Sequence, residues 1–353
     1  MEALPEWVKI GFSAATGVFG ERHTIHTWEF SSTGVTSSGR QKRKQTIVVV
    51  VVVVRSFLLA VVGVSVCWFL VNNRRTKNIG SRENSANFEL EREALPKRFH
   101  YQELVVATND FADDRRLGQG GSGQVYKGIL IGLGRVVAVK RIIAKSEVSE
   151  RIFINEAKII SRLIHKNLVQ FIGWCHEKGE LLLVYEHMSN GSLDTHLFGN
   201  RITLQWNERY KIALGLASAI HYLHENAEQC VLHRDIKSAN VLLDADFSTK
   251  LGDFGVAKLL DPLCSTQRTV LVGTYGYLAP EYLHHGRASK ESDIFSFGVV
   301  ALEIACGRRT YLDNEGYHVP LVRWIWELYE AGDILNAADE RLNMNFDEME
   351  MRG

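Results

Sequence analysis

From Thr46 to Val71 the chain is apolar almost without interruption, and Arg55 is its only charge. About 20 consecutive apolar residues suffice to cross a bilayer core. A buried core helix or strand is the other reading of such a run, and the seven valines at 48–54 favour extended, aggregation-prone backbone. Polar segments flank the run on both sides, and a soluble domain rarely needs one so long. A membrane-spanning helix over 46–71 is therefore expected, with membrane lipid as its partner. A central arginine costs about 2.5–3.5 kcal/mol on the insertion scale. Placing the span at 51–71 moves Arg55 to one end, where its stem reaches the headgroups, and Trp68 towards the other. Flanking charge does not orient the span: Arg40, Lys42, Arg43 and Lys44 precede it, and Arg74, Arg75, Lys77 and Arg82 follow it. Met1 to Phe19 lacks the apolar core of a secretory signal, so insertion through the internal segment is expected.

Lysine plus arginine equals aspartate plus glutamate, 41 of each, which argues against a nucleic-acid partner. The five cysteines (67, 175, 230, 264 and 306) form no CxxC pair, so neither a disulfide framework nor a zinc site is expected. Composition divides the chain into a short mixed segment at 1–30, a Ser/Thr-rich then basic linker at 31–45, the span at 46–71, and a polar juxtamembrane segment at 72–110. A large folded domain follows at 111–353, with dense folded sequence beginning near Phe99. Strand-like runs (124–128, 136–141, 181–185) dominate its first half, with one helical stretch at 150–163. Helical periodicity dominates afterwards: Ile212, Leu216, Ile220 and Leu223 share one face, and 295–306 is apolar nearly all round. A strand-rich half followed by a helix-rich half predicts two lobes with a cleft between them.

The chemistry-bearing residues fall in order along this domain. Leu117-Gly118-Gln119-Gly120-Gly121-Ser122-Gly123-Gln124-Val125 contains GxGxxG, whose glycines let backbone N–H groups approach phosphates closely. Alone, that pattern also fits a dinucleotide fold or a simple glycine-rich turn. Lys140 follows on a strand and Glu156 on a helix, a pair able to hold a lysine against phosphates. No dinucleotide-binding reading explains these later elements. Next comes His233-Arg234-Asp235-Ile236-Lys237-Ser238-Ala239-Asn240, and then Asp253-Phe254-Gly255. One carboxylate there can orient a hydroxyl, and a carboxylate with an amide can hold a magnesium ion.

These motifs, with Ala279-Pro280-Glu281 and Asp293, resemble those of the eukaryotic protein kinases, whose motif set is itself a standard template. The resemblance implies an α+β, bilobal protein-kinase-like fold with a β-rich N-lobe and a helical C-lobe. It implies ATP and Mg2+ as cofactors, with Asp235 as catalytic base, Lys237 steadying the γ-phosphate, and Lys140 with Glu156 on the α- and β-phosphates. Asn240 and Asp253 resemble the metal ligands. Val125, Ala138 and Leu242 resemble the adenine sandwich, Tyr185 the gatekeeper, and Glu186, His187 and Met188 the hinge. Asp293 resembles the helix aspartate that braces the catalytic loop. Lys237 and Thr274 resemble the Ser/Thr-specific enzymes, so protein serines and threonines are the expected substrates. Arg234 implies control by a phosphate on Ser265, Thr266 or Thr269, with a second copy of the chain as partner in trans-phosphorylation. Because ATP is cytosolic, this domain is placed in the cytosol, on a single-pass plasma-membrane protein.

Phe99 to Leu104, Ala107 to Phe111, Asn167-Leu168-Val169 and Gly173-Trp174-Cys175-His176 are similar to plant receptor-like kinases. Trp7 to Gly17 and Trp28-Glu29-Phe30 resemble the last strands of legume-type lectins, so the whole resembles the L-type lectin-domain receptor kinases. A short lectin-type β remnant is too small to close a β-sandwich, and carbohydrate binding is not expected of it. The chain ends at Gly353, inside the expected helical lobe, and no arginine clearly pairs with Glu281, which is expected to be buried and unpartnered. An inactive, ATP-binding scaffold is therefore the rival reading. Trp324, Trp326 and Tyr329 are expected either to fill the core or to lie exposed.

Overall fold

The computed structural model describes residues 63–65, 67–69, 96–121, 123–142, 147–199, 201–260, 266–268, 270–310 and 320–352. The chain divides into two compact units, Met1–Asn72 and Asn73–Gly353. In the first, residues 63–65 and 67–69 are helical and exposed. Among the described residues no helix is long and apolar enough to cross a membrane. The rest of the expected span, the lectin-like remnant and the linker lie outside the described residues, as do Ser122, Ser265 and Thr269.

The second unit has the two-lobed α+β build. Its small lobe is a six-stranded sheet in the order β1-β5-β6-β4-β3-β2. The strands are β1 (Lys97–Arg98), β2 (Arg116–Gly120), β3 (Gly123–Leu130), β4 (Arg135–Ile142), β5 (Phe171–Glu177) and β6 (Glu180–Glu186). Two helices cover it, α1 (Tyr101–Thr108) and α2 (Glu147–Ser161). Side chains alternate across a strand, so the apolar run of β6 feeds both faces. Leu182 and Val184 join Val137, Val139 and α1 residues Leu104 and Ala107 in one cluster. Leu181 and Leu183 join Phe153, Ala157 and Ile160 of α2 in another. In α2 the buried residues Phe153, Glu156, Ala157 and Ile160 fall at i, i+3, i+4 and i+7, one helical face, and Glu156 sits in the middle of it.

Residues 97–110, which composition puts in the polar juxtamembrane segment with dense folded sequence beginning near Phe99, are part of this lobe. β1 runs parallel to β5, and Phe99 is buried in the same cluster as Leu104. The close approach is possible only because Gly173 has no side chain. A Cβ there would lie 2.0 Å from the Lys97 carbonyl oxygen and 2.7 Å from Phe99 Cε2. Gly173→Ala is expected to lift 97–99 off the sheet edge and to cost about 1–3 kcal/mol of stability. Amide exchange at Phe99, whose N–H bonds the Trp174 carbonyl at 2.8 Å, should accelerate selectively. Unchanged protection there would refute the argument.

The large lobe is mainly helical: α3 (Leu193–Leu197), α4 (Trp206–His221), α5 (Pro280–His285), α6 (Lys290–Cys306), α7 (Leu321–Ala331) and α8 (Glu348–Arg352). Ile212, Leu216, Ile220 and Leu223 are all buried, and they pack with Val300 and Ile304 of α6 in the main core. Ser289 caps α6 by accepting a hydrogen bond from the Ser292 amide, and Gly307 ends the helix in the left-handed region. Arg209, fully buried in α4, donates to the Ile304 carbonyl at 2.8 Å and to Asp339 Oδ2 at 2.7 Å, tying α4, α6 and the segment after α7 together.

One expectation is corrected. Glu281 is not buried: it lies exposed in the first turn of α5, where water and the helix dipole stabilise its charge, so no burial cost arises. Of the two placements open to the α7 aromatics, Trp326 and Tyr329 take the exposed one, while Trp324 is half-buried beside Cys306 and Leu321.

Candidate active site

The glycine-rich segment is the hairpin between β2 and β3, closed by the Gly120–Gly123 pair. Gly123 has φ 143°, and a Cβ there would lie 2.3 Å from the Arg141 carbonyl oxygen, so only glycine fits. Leu117 is exposed on β2, with Gly118 and Gln119 paired to Val125 and Gln124, and Gly121 forms the exposed tip. The ladder then carries the site inward: Val125 pairs with Lys140, and Ala138 pairs with Tyr185. At the end of β6, Glu186 accepts the Gln170 amide at 2.7 Å, and just beyond the strand Met188 is buried. Leu242 lies opposite Lys250 in the large lobe's β-pair 241–243 and 249–251, and its Cδ1 approaches Gly252, the residue before Asp253.

Two charge clusters meet here. In the first, Lys140 Nζ donates to both Glu156 oxygens at 2.9 Å and to Asp253 Oδ1 at 2.6 Å. Burial works against the Lys140 charge, but the carboxylates of Glu156 and Asp253 overcome it and hold the ammonium well above its ordinary pKa. Glu156 also accepts the Tyr185 hydroxyl at 2.7 Å, so every atom of this fully buried carboxylate is used. Burial, with the Glu156 charge beside it, pushes the Tyr185 phenol well above its usual range and keeps it a donor.

The second cluster surrounds Asp235. Thr274 Oγ1 donates to Asp235 Oδ1 at 2.6 Å, and Lys237 Nζ donates to Asp235 Oδ2 at 2.9 Å and to Thr274 Oγ1 at 2.8 Å. Asn240 Nδ2 donates to the Asp235 carbonyl at 2.8 Å, which directs its own amide oxygen elsewhere. The loop is pinned from beneath by Asp293 of α6, which accepts the His233 amide at 2.8 Å, the Arg234 amide at 2.9 Å and the His224 ring at 3.0 Å. Burial pushes the His233 pKa down. A neutral ring donating Nε2–H to the Gly252 carbonyl at 3.1 Å leaves Nδ1 to accept the Asp235 amide at 3.3 Å. The Gly252 amide donates to the Asn240 carbonyl at 3.0 Å, so the loops bearing Asn240 and Asp253 are joined directly. Arg234 points inward and donates to the Val256 carbonyl.

The structure thus gathers Lys140, Glu156 and Asp253 in one cluster and Asp235, Lys237 and Asn240 in the other. Among the described residues no three His, Cys, Asp or Glu side chains gather in metal-binding reach. Asn240 and Asp253 offer an amide oxygen and a carboxylate. That hard-oxygen pair suits a magnesium ion whose remaining ligands are phosphates and water.

Some contacts of named residues, and two further residues, His224 and Glu303, escaped the sequence reading. The Tyr185 bond to Glu156 spans 29 residues and the His224 contact to Asp293 spans 69, so neither has a local signal. Glu303 is different: it is the only charge between Phe295 and Cys306, and a lone carboxylate in an apolar helix is itself a sign of a buried role.

Residues 111–329 match the protein kinase domain family, and residues 1–46 match the legume lectin domain family. L-type lectin-domain containing receptor kinase IX.1 of Arabidopsis thaliana is 48% identical over 98% of this chain and 54% of the relative. L-type lectin-domain containing receptor kinase SIT1 of Oryza sativa subsp. japonica is 42% identical over 96% of this chain and 51% of the relative. The chain spans about half the length of the curated relatives it matches. With its kinase-family match covering the lobes that carry both charge clusters, the chain belongs to the protein kinase domain family, and its close relatives are L-type lectin-domain containing receptor kinases.

Proposed function

We propose that this chain is a membrane-anchored serine/threonine protein kinase that transfers the γ-phosphoryl group of Mg-ATP to protein hydroxyls in receptor-type signalling. The observation that carries the reading is the Thr274 hydroxyl, held 2.6 Å from Asp235 Oδ1 with Lys237 bridging both groups. A carboxylate that accepts a hydrogen bond from one aliphatic hydroxyl can orient another. Magnesium, held by Asn240 and Asp253, would neutralise phosphate charge. Lys140, fixed by Glu156, would position the α- and β-phosphates, and the hairpin at 117–125 would cover them, with Val125, Ala138 and Leu242 around the base. Phosphoryl transfer of this kind needs positioning and charge stabilisation more than covalent participation by the protein.

Labelled γ-phosphate should enter casein in the presence of the full chain, as phosphoserine and phosphothreonine. Phosphotyrosine alone would overturn the substrate class, and labelling equal to that of Asp235→Asn would overturn the activity. The anchor rests on the apolar run at 46–71. Chain expressed in microsomes should stay with the lipid on alkaline carbonate extraction, and its release would defeat the anchor.

A further inference from the structure

Arginines from separate stretches of the chain converge on α3, and they are exposed. Arg201 Nη1 donates to the Asn190 carbonyl at 2.6 Å, just before the helix, and Arg341 Nη2 donates to the Leu197 carbonyl at 2.6 Å, at its end. Arg309 lies over the Phe198 ring at 4.4 Å, and its neighbour Arg308 lies over the Trp324 ring at 4.1 Å. Both rings are anchored: Phe198 packs against the main core, and Trp324 packs beside Cys306 and Leu321. Gly307 brings the two arginines to this face, because its left-handed turn ends α6 where any side chain would collide with Asp339.

Nearby acids do not neutralise this charge. Asp339 is taken by Arg209 at 2.7 Å and Arg341 at 2.6 Å, Asp194 Oδ1 accepts the Ser192 hydroxyl, and Glu303 is buried. The guanidiniums of Arg308 and Arg309 meet no carboxylate and donate no hydrogen bond among the described residues. A guanidinium resting on an aromatic ring keeps its N–H edge available to water or to a carboxylate, which it can grip with two parallel bonds. The ring already restricts the side chain, so less rotamer freedom is lost on binding. The location is equally specific. α3 packs against Ser238–Asn240 of the catalytic loop, and Asn190 lies two residues beyond Met188. The arginines therefore border the mouth of the cleft beside the loop that carries Asp235.

We propose that Arg308 and Arg309, backed by Arg201 and Arg341, form a docking site that selects protein acceptors carrying aspartate or glutamate near the hydroxyl to be phosphorylated. The proposal rests on the kinase reading above. Charge complementarity carries it: two ring-backed guanidiniums without carboxylate partners, set beside the catalytic loop, fit an acidic peptide entering the cleft. One exposed ion pair gives at most about fivefold in affinity, so the two arginines together should discriminate about tenfold between acidic and neutral acceptors at low salt.

The test uses the full chain without ATP and a fluorescein-labelled peptide in which glutamates surround a single serine. Its anisotropy should report binding about tenfold tighter than that of the same peptide with glutamine for glutamate. Arg308→Gln combined with Arg309→Gln should erase the difference and leave the glutamine peptide's affinity unchanged. Arg309→Lys keeps the charge but loses the forked donor, and should retain only part of the preference. In turnover, the same variants should raise KM for the glutamate peptide and leave KM for ATP where it was. Equal affinity of the parent chain for the two peptides, or a glutamate preference that survives the double replacement, would overturn the proposal. So would an equal loss for both peptides, which would show that the arginines only hold the fold. Phosphatidylserine vesicles should not displace the peptide, and displacement that the double replacement abolishes would assign the arginines to a lipid surface instead. Transfer to casein without peptide discrimination would sink this site and spare the kinase reading, whereas discrimination without transfer would sink the kinase reading and spare the site.

Discussion

Asp235→Asn should leave the fold in place and lower kcat for phosphate transfer by about 10²–10⁴-fold, the usual contribution of a positioned general base. The replacement keeps the shape and can still accept one hydrogen bond. It loses the negative charge that Thr274 Oγ1 approaches at 2.6 Å and Lys237 Nζ at 2.9 Å. An amide accepts a hydroxyl proton poorly, so an acceptor hydroxyl would be neither oriented nor deprotonated as its phosphate bond forms. The KM for ATP should change little, because Lys140, Glu156 and Asp253 form a separate cluster. Turnover of the variant within threefold of the parent chain would remove Asp235 from the mechanism. Loss of the folded far-ultraviolet circular dichroism signal would instead show that Asp235 holds the loop.

Lys140→Met should act on stability as well as on catalysis. The ammonium contacts three carboxylate oxygens, and Glu156 has no exposure to water. Breaking a buried ion pair from one side strands the other charge and costs about 3–5 kcal/mol. The loss should depend on pH, and its sign follows from linkage. Burial pushes the folded-state pKa of Glu156 up, and Lys140 is the chief opposing influence. Without it, Glu156 binds its proton more tightly in the folded state than in the unfolded one. Stability then falls as pH rises from the unfolded carboxylate value through the raised folded one. The variant should be closer to the parent chain near pH ~5 than near pH ~8. Adding Glu156→Gln should recover part of the loss, since an amide at 156 still accepts the Tyr185 hydroxyl. Denaturant melts of the four proteins in this cycle measure the coupling. A pH-independent difference with no recovery would show that the ammonium acts only by packing.

The residues that carry chemistry were legible because each lies in a short run whose neighbours serve the same purpose. Gly123 stands at a backbone angle other residues avoid, Lys140 lies in a strand, and Glu156 lies on the buried face of a helix. The exposure of Glu281 was not legible. Its burial was inferred from a partner elsewhere in the family, whereas the short helix that carries it turns the side chain to water. The place of Lys97 and Arg98 was equally hidden, because polar composition describes a tether and an edge strand alike. Only Gly173, distant along the chain, provides the room for that strand.

Order along the chain determined which groups exist: a glycine hairpin, a strand lysine, a helix glutamate and two loops of acid and amide, all within an alternation that builds a sheet lobe and then a helical one. Tertiary structure decided which of them share a proton or a charge. Tyr185 reaches Glu156, Tyr277 reaches Glu303, and Asp293 holds the backbone beneath Asp235. The physical reason is range. Backbone propensity and hydrophobic periodicity act over a few residues and leave their mark in the local sequence. A buried carboxylate, by contrast, takes whichever donor the packed lobes bring within about 3 Å, and that donor can come from anywhere in the chain.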